Sequence, residues 1–300
     1  MSASQPVRLK TLLGEHPGTA ALRRGEVRSP RVALDIADVK AASTAFKRVV
    51  RDLEFDLAEL AIVTFLIAKA HGKPLVLLPA VVMGRFQHPY LVYDPARGPL
   101  APGDLAGRRV GVRSYSVTTG AWVRGILSDD YGVDLDRVTW VTVEEAHVAE
   151  FRDPPNVERA PAGKDLATML REGAIDAAIL GEVPALDSPL KPLIPDPTAA
   201  ARDWQRRHGA IQINHMVVVT EALSRAHPDA VREAYRLLAQ GKRIAGLPKA
   251  GELDTTPFGL EANRRNLEVA IDCVHRQRLI PRRFTVDELF DDLTRVLPTV

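Results

Sequence analysis

The chain has 300 residues, of which 46% are hydrophobic, and it carries 40 Lys and Arg against 38 Asp and Glu. This length allows two domains of ordinary size, and the net charge of +2 without a long basic run argues against a nucleic-acid-binding protein. The single cysteine, Cys273, excludes an internal disulfide and any metal site built from several cysteines.

The first 22 residues lack the apolar core and the small-residue cleavage site of a secretory signal. The longest apolar stretches, LAIVTFLIAKA and PLVLLPAVVMG, are interrupted too early to span a bilayer. We therefore expect a soluble, cytoplasmic protein that binds neither a membrane nor nucleic acid.

Strands and helices alternate through the first third of the chain. Residues 55–72 predict a helix, because Asp56 and Glu59 form a capping-box pattern and Gly72 ends the apolar run. The other predicted elements of this block are a helix at 43–54 and strands at 7–13, 31–39, 74–82 and 89–95.

The same alternation returns after a Gly- and Pro-rich segment at 94–107, which marks a boundary. A hydroxyl-rich stretch, SYSVTT, separates strand 109–112 from a helix that reaches Tyr131. Further strands are predicted at 136–143, 174–180 and 209–219, and helices follow from Thr220.

This pattern predicts an α/β protein with largely parallel sheets. The chain crosses between two such blocks at 94–107 and again at 206–212. We therefore predict two lobes with a central ligand cleft. Lobe 1 comprises 1–93 plus 213–300, and lobe 2 comprises 108–205.

Several motifs resemble known families. DLAGRRVGV, followed by the hydroxyl-rich helix start, and LREGAIDAAILGE are similar to segments of the type II periplasmic-binding-protein fold. Three longer blocks resemble the 4,5-dihydroxyphthalate decarboxylase family, which shares that fold. They are FDLAELAIVTFLIAKAHGKPLVLLPAVVMGRFQH, GVRSYSVTTGAWVRGILSDDYGV and FGLEANRRNLEVAIDCVHRQRLIPRRFTVDELF. The resemblance implies an enzyme of aromatic compound catabolism that decarboxylates a hydroxylated aromatic acid without a cofactor.

The chain departs from this family pattern at two places. Family members often carry Glu-Met-Ser where this chain has Glu59-Leu60-Ala61, and Asp-His-Thr where it has Glu15-His16-Pro17-Gly18-Thr19. Both places would border the cleft, so an altered substrate stays open.

Aromatic decarboxylation needs a proton for the ring carbon that loses CO2, together with partners for the phenolic hydroxyls. His16 and His88 each follow a predicted strand, where ligands of open α/β sheets bind, and they are competing proton donors. Glu59 and His215 would bind phenolic hydroxyls or tune the acid.

The carboxylates of the substrate need cations or N–H donors. Arg85 and Arg113 follow strands, and the start of the helix after Ser116 can bind an anion. A purely structural alternative is that Ser114 or Ser116 caps this helix and that Tyr115 packs. The predicted substrate-binding residues are Arg85, Arg113, Tyr115, Ser116, Thr118, Thr119 and Glu182.

We expect no bound metal. The residues that could converge as ligands show no His-x-x-x-His spacing, and the family resemblance implies no cofactor. These residues are His16, Glu59, His88, Glu182 and His215.

Two other functions stay open. The protein could be a cytoplasmic solute-binding or sensor protein for a small carboxylate, without catalysis. A cofactor-biosynthesis enzyme on the same fold is a third interpretation, which the C-terminal resemblance disfavours. Leu267, Val269 and Ile271 pack within their own lobe or in a homo-oligomer.

Overall fold

The computed structural model describes residues 5–39, 41–185 and 187–299. The strands, in chain order, are β1 (Val7–Leu12), β2 (Val32–Ile36), β3 (Leu57–Ala61), β4 (Leu75–Gly84), β5 (Leu91–Tyr93), β6 (Arg109–Val112), β7 (Thr139–Thr142), β8 (Val157–Arg159), β9 (Ala177–Ile179), β10 (Lys191–Pro192) and β11 (Ile213–Thr220). The helices are α1 (Pro17–Arg23), α2 (Phe46–Asp52), α3 (Ile62–Ala70), α4 (Thr118–Tyr131), α5 (Leu166–Glu172), α6 (Pro197–His208), α7 (Glu221–Ala226), α8 (Pro228–Ile244), α9 (Leu260–Arg276) and α10 (Asp292–Arg295). In these described ranges, no helix combines the length and the apolar character needed to cross a membrane.

The chain divides into two compact units. Unit 1 contains the described residues up to Arg85, Ile213–Asp272 and those from Ile280 onward, and unit 2 contains Phe86–Gln212 and Cys273–Leu279. The first boundary therefore lies at Arg85, ahead of the predicted crossing at 94–107. The reason is that β5 pairs with β9 and β10 in the sheet of unit 2.

The second boundary lies between Gln212 and Ile213, where lobe 1 was predicted to resume, but α6 occupies part of the predicted crossing at 206–212. Cys273–Leu279, predicted in lobe 1, belong to unit 2, because the side chains of Cys273 and Gln277 both donate hydrogen bonds to the backbone oxygen of Ala121.

Unit 1 is built on a five-stranded sheet in the order β2-β1-β3-β11-β4. β1 is parallel to β2 and β3, whereas β11 is antiparallel to both of its neighbours, β3 and β4. The carboxyl ends of β1 and β3 and the amino end of β11 consequently lie at one edge of the sheet.

The predicted helix at 55–72 is wrong in its first third, where β3 precedes α3. All five residues of β3 are buried, and the strand lies between β1 and β11 in the sheet. Its sequence is therefore mostly apolar and lacks the alternation of apolar and polar residues that marks a half-buried strand. The predicted capping box is absent as well. Asp56 instead accepts a hydrogen bond from the backbone N–H of Lys10 at 2.8 Å.

Helix α1 packs closely against α8. A Cβ atom added at Gly241 of α8 would lie 2.5 Å from the backbone oxygen of Gly18, so only glycine permits this approach. Leu22 of α1 and Leu238 of α8 belong to the same buried core. This packing fixes the position of the loop between β1 and α1.

Unit 2 contains a six-stranded sheet in the order β10-β5-β9-β6-β7-β8. β6 is parallel to β7 and β9, and β5 runs antiparallel to β9 and β10. β8 is the last strand in this order, and its three residues are half-buried or exposed. Helix α4 follows β6 and buries most of its first three turns.

Candidate active site

Four of the predicted site residues come together at one edge of the sheet of unit 1. His16 follows β1, and Glu59 lies within β3. His215, near the amino end of β11, is paired with Ala61 in the β3–β11 register, two residues beyond Glu59. Arg85 follows β4, whose last residue, Gly84, pairs with Ile213 at this same edge.

Glu59 is the centre of a hydrogen-bonded network. Its Oε1 atom lies 2.8 Å from Nε2 of His16 and 2.5 Å from Nδ1 of His215. Its Oε2 atom accepts a hydrogen bond of 2.6 Å from the backbone N–H of Gly14. The Glu59 side chain is fully buried, whereas His16 and His215 keep 15% and 14% of their side chains exposed.

Glu59 is ionised in this network. Burial alone would raise the pKa of Glu59, but the hydrogen bonds and electrostatic interactions with His16 and His215 outweigh burial and hold the pKa below its ordinary value. An ionised carboxylate can only accept hydrogen bonds, so the ring nitrogens that face it carry hydrogen. Nδ1 of His16 and Nε2 of His215 are therefore the nitrogens that can exchange protons with a substrate.

Gly14 and Thr19 hold the loop that carries His16, and the sequence analysis did not identify either one as functional. The Thr19 hydroxyl donates to the Gly14 backbone oxygen at 2.7 Å and accepts from the His16 backbone N–H at 3.0 Å. A Cβ at Gly14 would lie 2.8 Å from both Oε2 of Glu59 and Nε2 of His16. The only sequence signal for these roles is their closeness to His16 in the chain.

The network also contains atoms of the kind that bind zinc. Each of His16, Glu59 and His215 offers one such atom. These three atoms lie within 4.8 Å of one another. The two contacts at 2.8 and 2.5 Å have hydrogen-bond lengths, whereas the ligand atoms of a tetrahedral zinc ion lie about 3.3 Å apart. A metal would require these side chains to move apart and release their shared protons. The expectation of no cofactor stays a prediction.

His88 belongs to unit 2, whereas the Glu59 network belongs to unit 1. It is fully buried, and neither ring nitrogen has a hydrogen-bond partner among the described residues. Burial lowers the pKa of His88 to about 4, although Asp130 opposes this shift. Its imidazole is therefore neutral near pH 7, which makes it a weaker candidate than His16 for the proton donor.

The predicted anion site at the start of α4 also lies in unit 2. The N-cap residue of α4 is Val117, and no side chain in the described part of the chain caps the helix. Capping by Ser114 or Ser116, the structural alternative, is therefore wrong. These two hydroxyls instead lie 3.4 Å from each other. Ser116 and Thr118 are buried, and Thr119 is half-buried.

The remaining predicted residues of unit 2 have different surroundings. Arg113 follows β6, and its Nε lies 4.0 Å from a Glu144 carboxylate oxygen. Tyr115 is buried, with the guanidinium of Arg124 3.8 Å from the centroid of its ring. Arg124, in α4, is itself fully buried. Glu182 is exposed after β9 and forms no ion pair within the described ranges.

The chain is similar to curated proteins named 4,5-dihydroxyphthalate decarboxylase. It is 33% identical to the one from Pseudomonas putida over 173 residues, which cover 54% of this chain and 67% of that protein. The chain belongs to the 4,5-dihydroxyphthalate decarboxylase family. It is 29% identical to the family member from Comamonas testosteroni over 201 residues, which are 61% of this chain and 59% of that relative. No protein-family model matches the sequence.

Solved structures show the fold of this decarboxylase-family chain. The alkanesulfonate-binding protein SsuA from Xanthomonas axonopodis pv. citri, bound to MOPS, matches with a TM-score of 0.59 and 16% identity over 96% of this chain and 99% of its own. The aliphatic sulphonate-binding protein SsuA from Escherichia coli gives a TM-score of 0.60 and 13% identity over 96% and 97%. The desulfurization enzyme DSZB matches with a TM-score of 0.50 and 14% identity, over 97% of this chain and 98% of its own. The predicted α/β, two-lobed type II periplasmic-binding-protein fold is confirmed. Because binding proteins and an enzyme share it, the fold does not decide the activity.

Proposed function

We propose that the protein catalyses the cofactor-independent decarboxylation of a hydroxylated aromatic carboxylic acid, 4,5-dihydroxyphthalate or a close relative. The observation that carries this proposal is the buried Glu59 carboxylate that joins the imidazoles of His16 and His215. Membership of the 4,5-dihydroxyphthalate decarboxylase family supports the choice of reaction and substrate class.

The reaction requires one proton to reach the ring and one to leave a phenol. A proton adds to the ring carbon that bears the carboxylate, and a new C–H bond forms. The hydroxyl para to that carbon supplies electron density and gives up its proton to a base. The bond to the carboxylate then breaks, its electron pair returns to the ring, CO2 leaves, and the phenol regains a proton.

The network can supply both proton transfers. In this proposal, His16 donates a proton from Nδ1 to the ring carbon, and His215 accepts the phenolic proton at Nε2. Glu59 remains ionised, because the pKa of its carboxyl is lowered, and it stabilises whichever imidazole is positively charged. His88 is less suited to this role, since burial lowers its pKa to about 4.

Cations and N–H groups would bind the carboxylates. We assign this role to Arg85, to Arg113 and to the start of α4, where no side chain caps the helix. Ser116, Thr118 and Thr119 would add hydroxyl donors, and Glu182 would contact the substrate hydroxyls. These assignments stay predictions.

Turnover of the proposed substrate tests the function. Purified protein, incubated with 4,5-dihydroxyphthalate and EDTA, is expected to release CO2 and form 3,4-dihydroxybenzoate. In D2O the product carries one deuterium at the ring position that lost the carboxylate. If a panel of hydroxylated aromatic acids raises the Tm but is recovered unchanged, the protein is a binding protein and the enzymatic proposal is wrong.

A pair of substitutions tests the proton donor. His16→Gln keeps a hydrogen-bonding group but cannot deliver a proton, so kcat should fall about 100-fold or more. His71→Gln, at an exposed position after α3, is the control and should retain activity. Loss of activity in His88→Gln with retention in His16→Gln would reverse the assignment.

A further inference from the structure

We propose that unit 2 holds a second small-molecule site, which binds a small aromatic monocarboxylate. The site is a pocket of about 460 Å³, lined by residues of unit 2 alone, whereas the Glu59 network belongs to unit 1. Pockets that bind small molecules have volumes of about 300–1,000 Å³. This proposal does not depend on the decarboxylase activity.

Arg152 supplies a positive charge with no acidic partner. Its Nη1 donates to the backbone oxygens of Ala149 and Phe151, at 2.8 and 3.1 Å, which orient the guanidinium. It forms no ion pair with a carboxylate of any described residue. Its remaining N–H groups can therefore bind a ligand carboxylate, with the geometry that guanidinium groups favour.

The charges that line the pocket favour a ligand with one negative charge. Arg278 is also part of the lining, and it pairs with Asp136 at 2.6 Å. Two arginines and one aspartate give the lining a net charge of +1. A single carboxylate neutralises it, whereas a neutral ligand leaves Arg152 without a counterion.

Tyr115 provides a rigid polar group in the lining. Its ring is only 4% exposed and packs against the guanidinium of Arg124, which donates to the Tyr115 backbone oxygen at 2.8 Å. No described residue forms a hydrogen bond with the Tyr115 hydroxyl. Arg124 is held in turn by Gln277, another lining residue, at 2.8 Å. This phenol can therefore bond to a polar group of a ligand.

The rest of the lining matches a flat apolar body. Phe151, Pro154, Pro155 and Leu279 contribute apolar surfaces. Aromatic rings pack favourably on such surfaces, in addition to the apolar area that they bury. An apolar wall together with one unpaired guanidinium is complementary to a benzoate-like ligand.

Titration with 4-fluorobenzoate, followed by fluorine NMR, tests this site in solution. The wild-type protein should show saturable binding, and Arg152→Ser should weaken it about tenfold, because a charge-assisted hydrogen bond is lost. Arg171→Ser removes an exposed arginine from α5 of the same unit and should leave the affinity unchanged. Glu59→Gln should also leave it unchanged, which separates this site from the network in unit 1.

Crystals soaked with 4-bromobenzoate locate the ligand directly. The anomalous signal of bromine should appear beside Arg152 and Pro155. Bromine density only elsewhere in the molecule, absence of saturable binding at millimolar probe, or unchanged affinity in a folded Arg152→Ser variant would each overturn the proposal.

Discussion

At Glu59, one carboxylate oxygen faces two imidazoles in a site without solvent around the carboxylate. Moving a charge of this kind out of water costs several kcal/mol, and the cost is offset only where hydrogen bonds satisfy its oxygens. Here three donors do so, two from histidines and one from the backbone of Gly14. Removal of Glu59 would leave both imidazoles and the Gly14 N–H without their shared acceptor, and removal of either histidine would leave the buried carboxylate with one donor fewer, so the network acts as one unit.

Glu59→Gln should disable this unit. The amide carries no charge, and its NH2 group cannot accept a hydrogen bond from an imidazole or from Gly14. We expect kcat to fall about 100-fold or more, measured as CO2 release. The matched control is Glu26→Gln, which removes an exposed ion pair with Arg24 and should retain full turnover. A Glu59→Gln enzyme with near-normal turnover contradicts the proposed mechanism.

Gly14→Ala should disturb the same unit by steric contact. The added Cβ would meet Glu59 and His16 atoms at 2.8 Å, which is closer than real Cβ contacts. We expect a loss of activity and a fall of about 1–3 kcal/mol in the free energy of unfolding, measured by urea denaturation. Gly18→Ala, in the first turn of α1, is the control, because the nearest atom to its added Cβ would be 3.8 Å away. Equal effects of the two substitutions would show that the contact at Gly14 is unimportant.

The residue types of the site could be predicted from the sequence, and their partners could not. His16, Glu59 and His215 were selected for their places near strand ends or within a family motif, and the structure joins all three. The role of Gly14 depends on a backbone N–H, which every non-proline residue has, so no residue pattern reveals it. The burial of Arg124 depends on tertiary packing, which a single arginine in a helix does not show.

Among the elements, the connection from β1 to α1 matters most for the site. Helix α1 begins at Pro17, directly after His16, and Thr19 in its first turn bonds to both Gly14 and His16. Close packing of α1 on α8 fixes this first turn. The orientation of His16 therefore depends on a hydroxyl that does not touch Glu59.

Thr19→Val should show this dependence. Valine fills the same volume, but it leaves the Gly14 oxygen and the His16 N–H without a partner, at a cost of about 1–3 kcal/mol for a buried group. We expect a lower free energy of unfolding and a kcat reduced about tenfold. Thr19→Ser restores the hydroxyl and should recover most of the lost free energy of unfolding and most of the lost kcat. Failure of serine to recover activity would show that the methyl group is what matters.

Strand β3 shows where element prediction fails. A strand buried on both faces and a buried helix have the same continuous apolar composition. The neighbouring α3 has seven buried residues, and nothing in the sequence marks the change at Ala61. By contrast, β6 and α4 were predicted correctly because a hydroxyl-rich segment separates them.

At the scale of the whole molecule, buried His88 links stability to pH. The pKa of His88 is lowered to about 4 in the fold, below its ordinary value of 6.5, so the unfolded chain binds the proton more tightly. The folded state therefore loses stability as the pH falls below 6.5, and this loss is complete below pH 4. Glu59 adds little to this loss above about pH 5, because its stabilising contribution declines only as the pH approaches and passes below its ordinary pKa of 4.5.

His88→Leu should reduce this acid sensitivity. From pH 7 to pH 5, titration of His88 should lower the free energy of unfolding of the wild-type protein by about 2 kcal/mol. The variant should not show this decrease. Urea denaturation at the two pH values measures the difference. His71→Gln, which changes an exposed histidine, should behave like the wild type. An equal loss of stability in the wild type and in His88→Leu would show that His88 is not the titrating group.

The place of β11 in its sheet also sets an order of events during synthesis. β3 and β4 do not pair with each other, and β11, made more than 120 residues later, fills the gap between them. A nascent chain therefore keeps these two strand edges open until all of unit 2 up to Gln212 has left the ribosome. Since His215 arrives on that last strand, the protein cannot acquire its two-imidazole centre before the sheet closes.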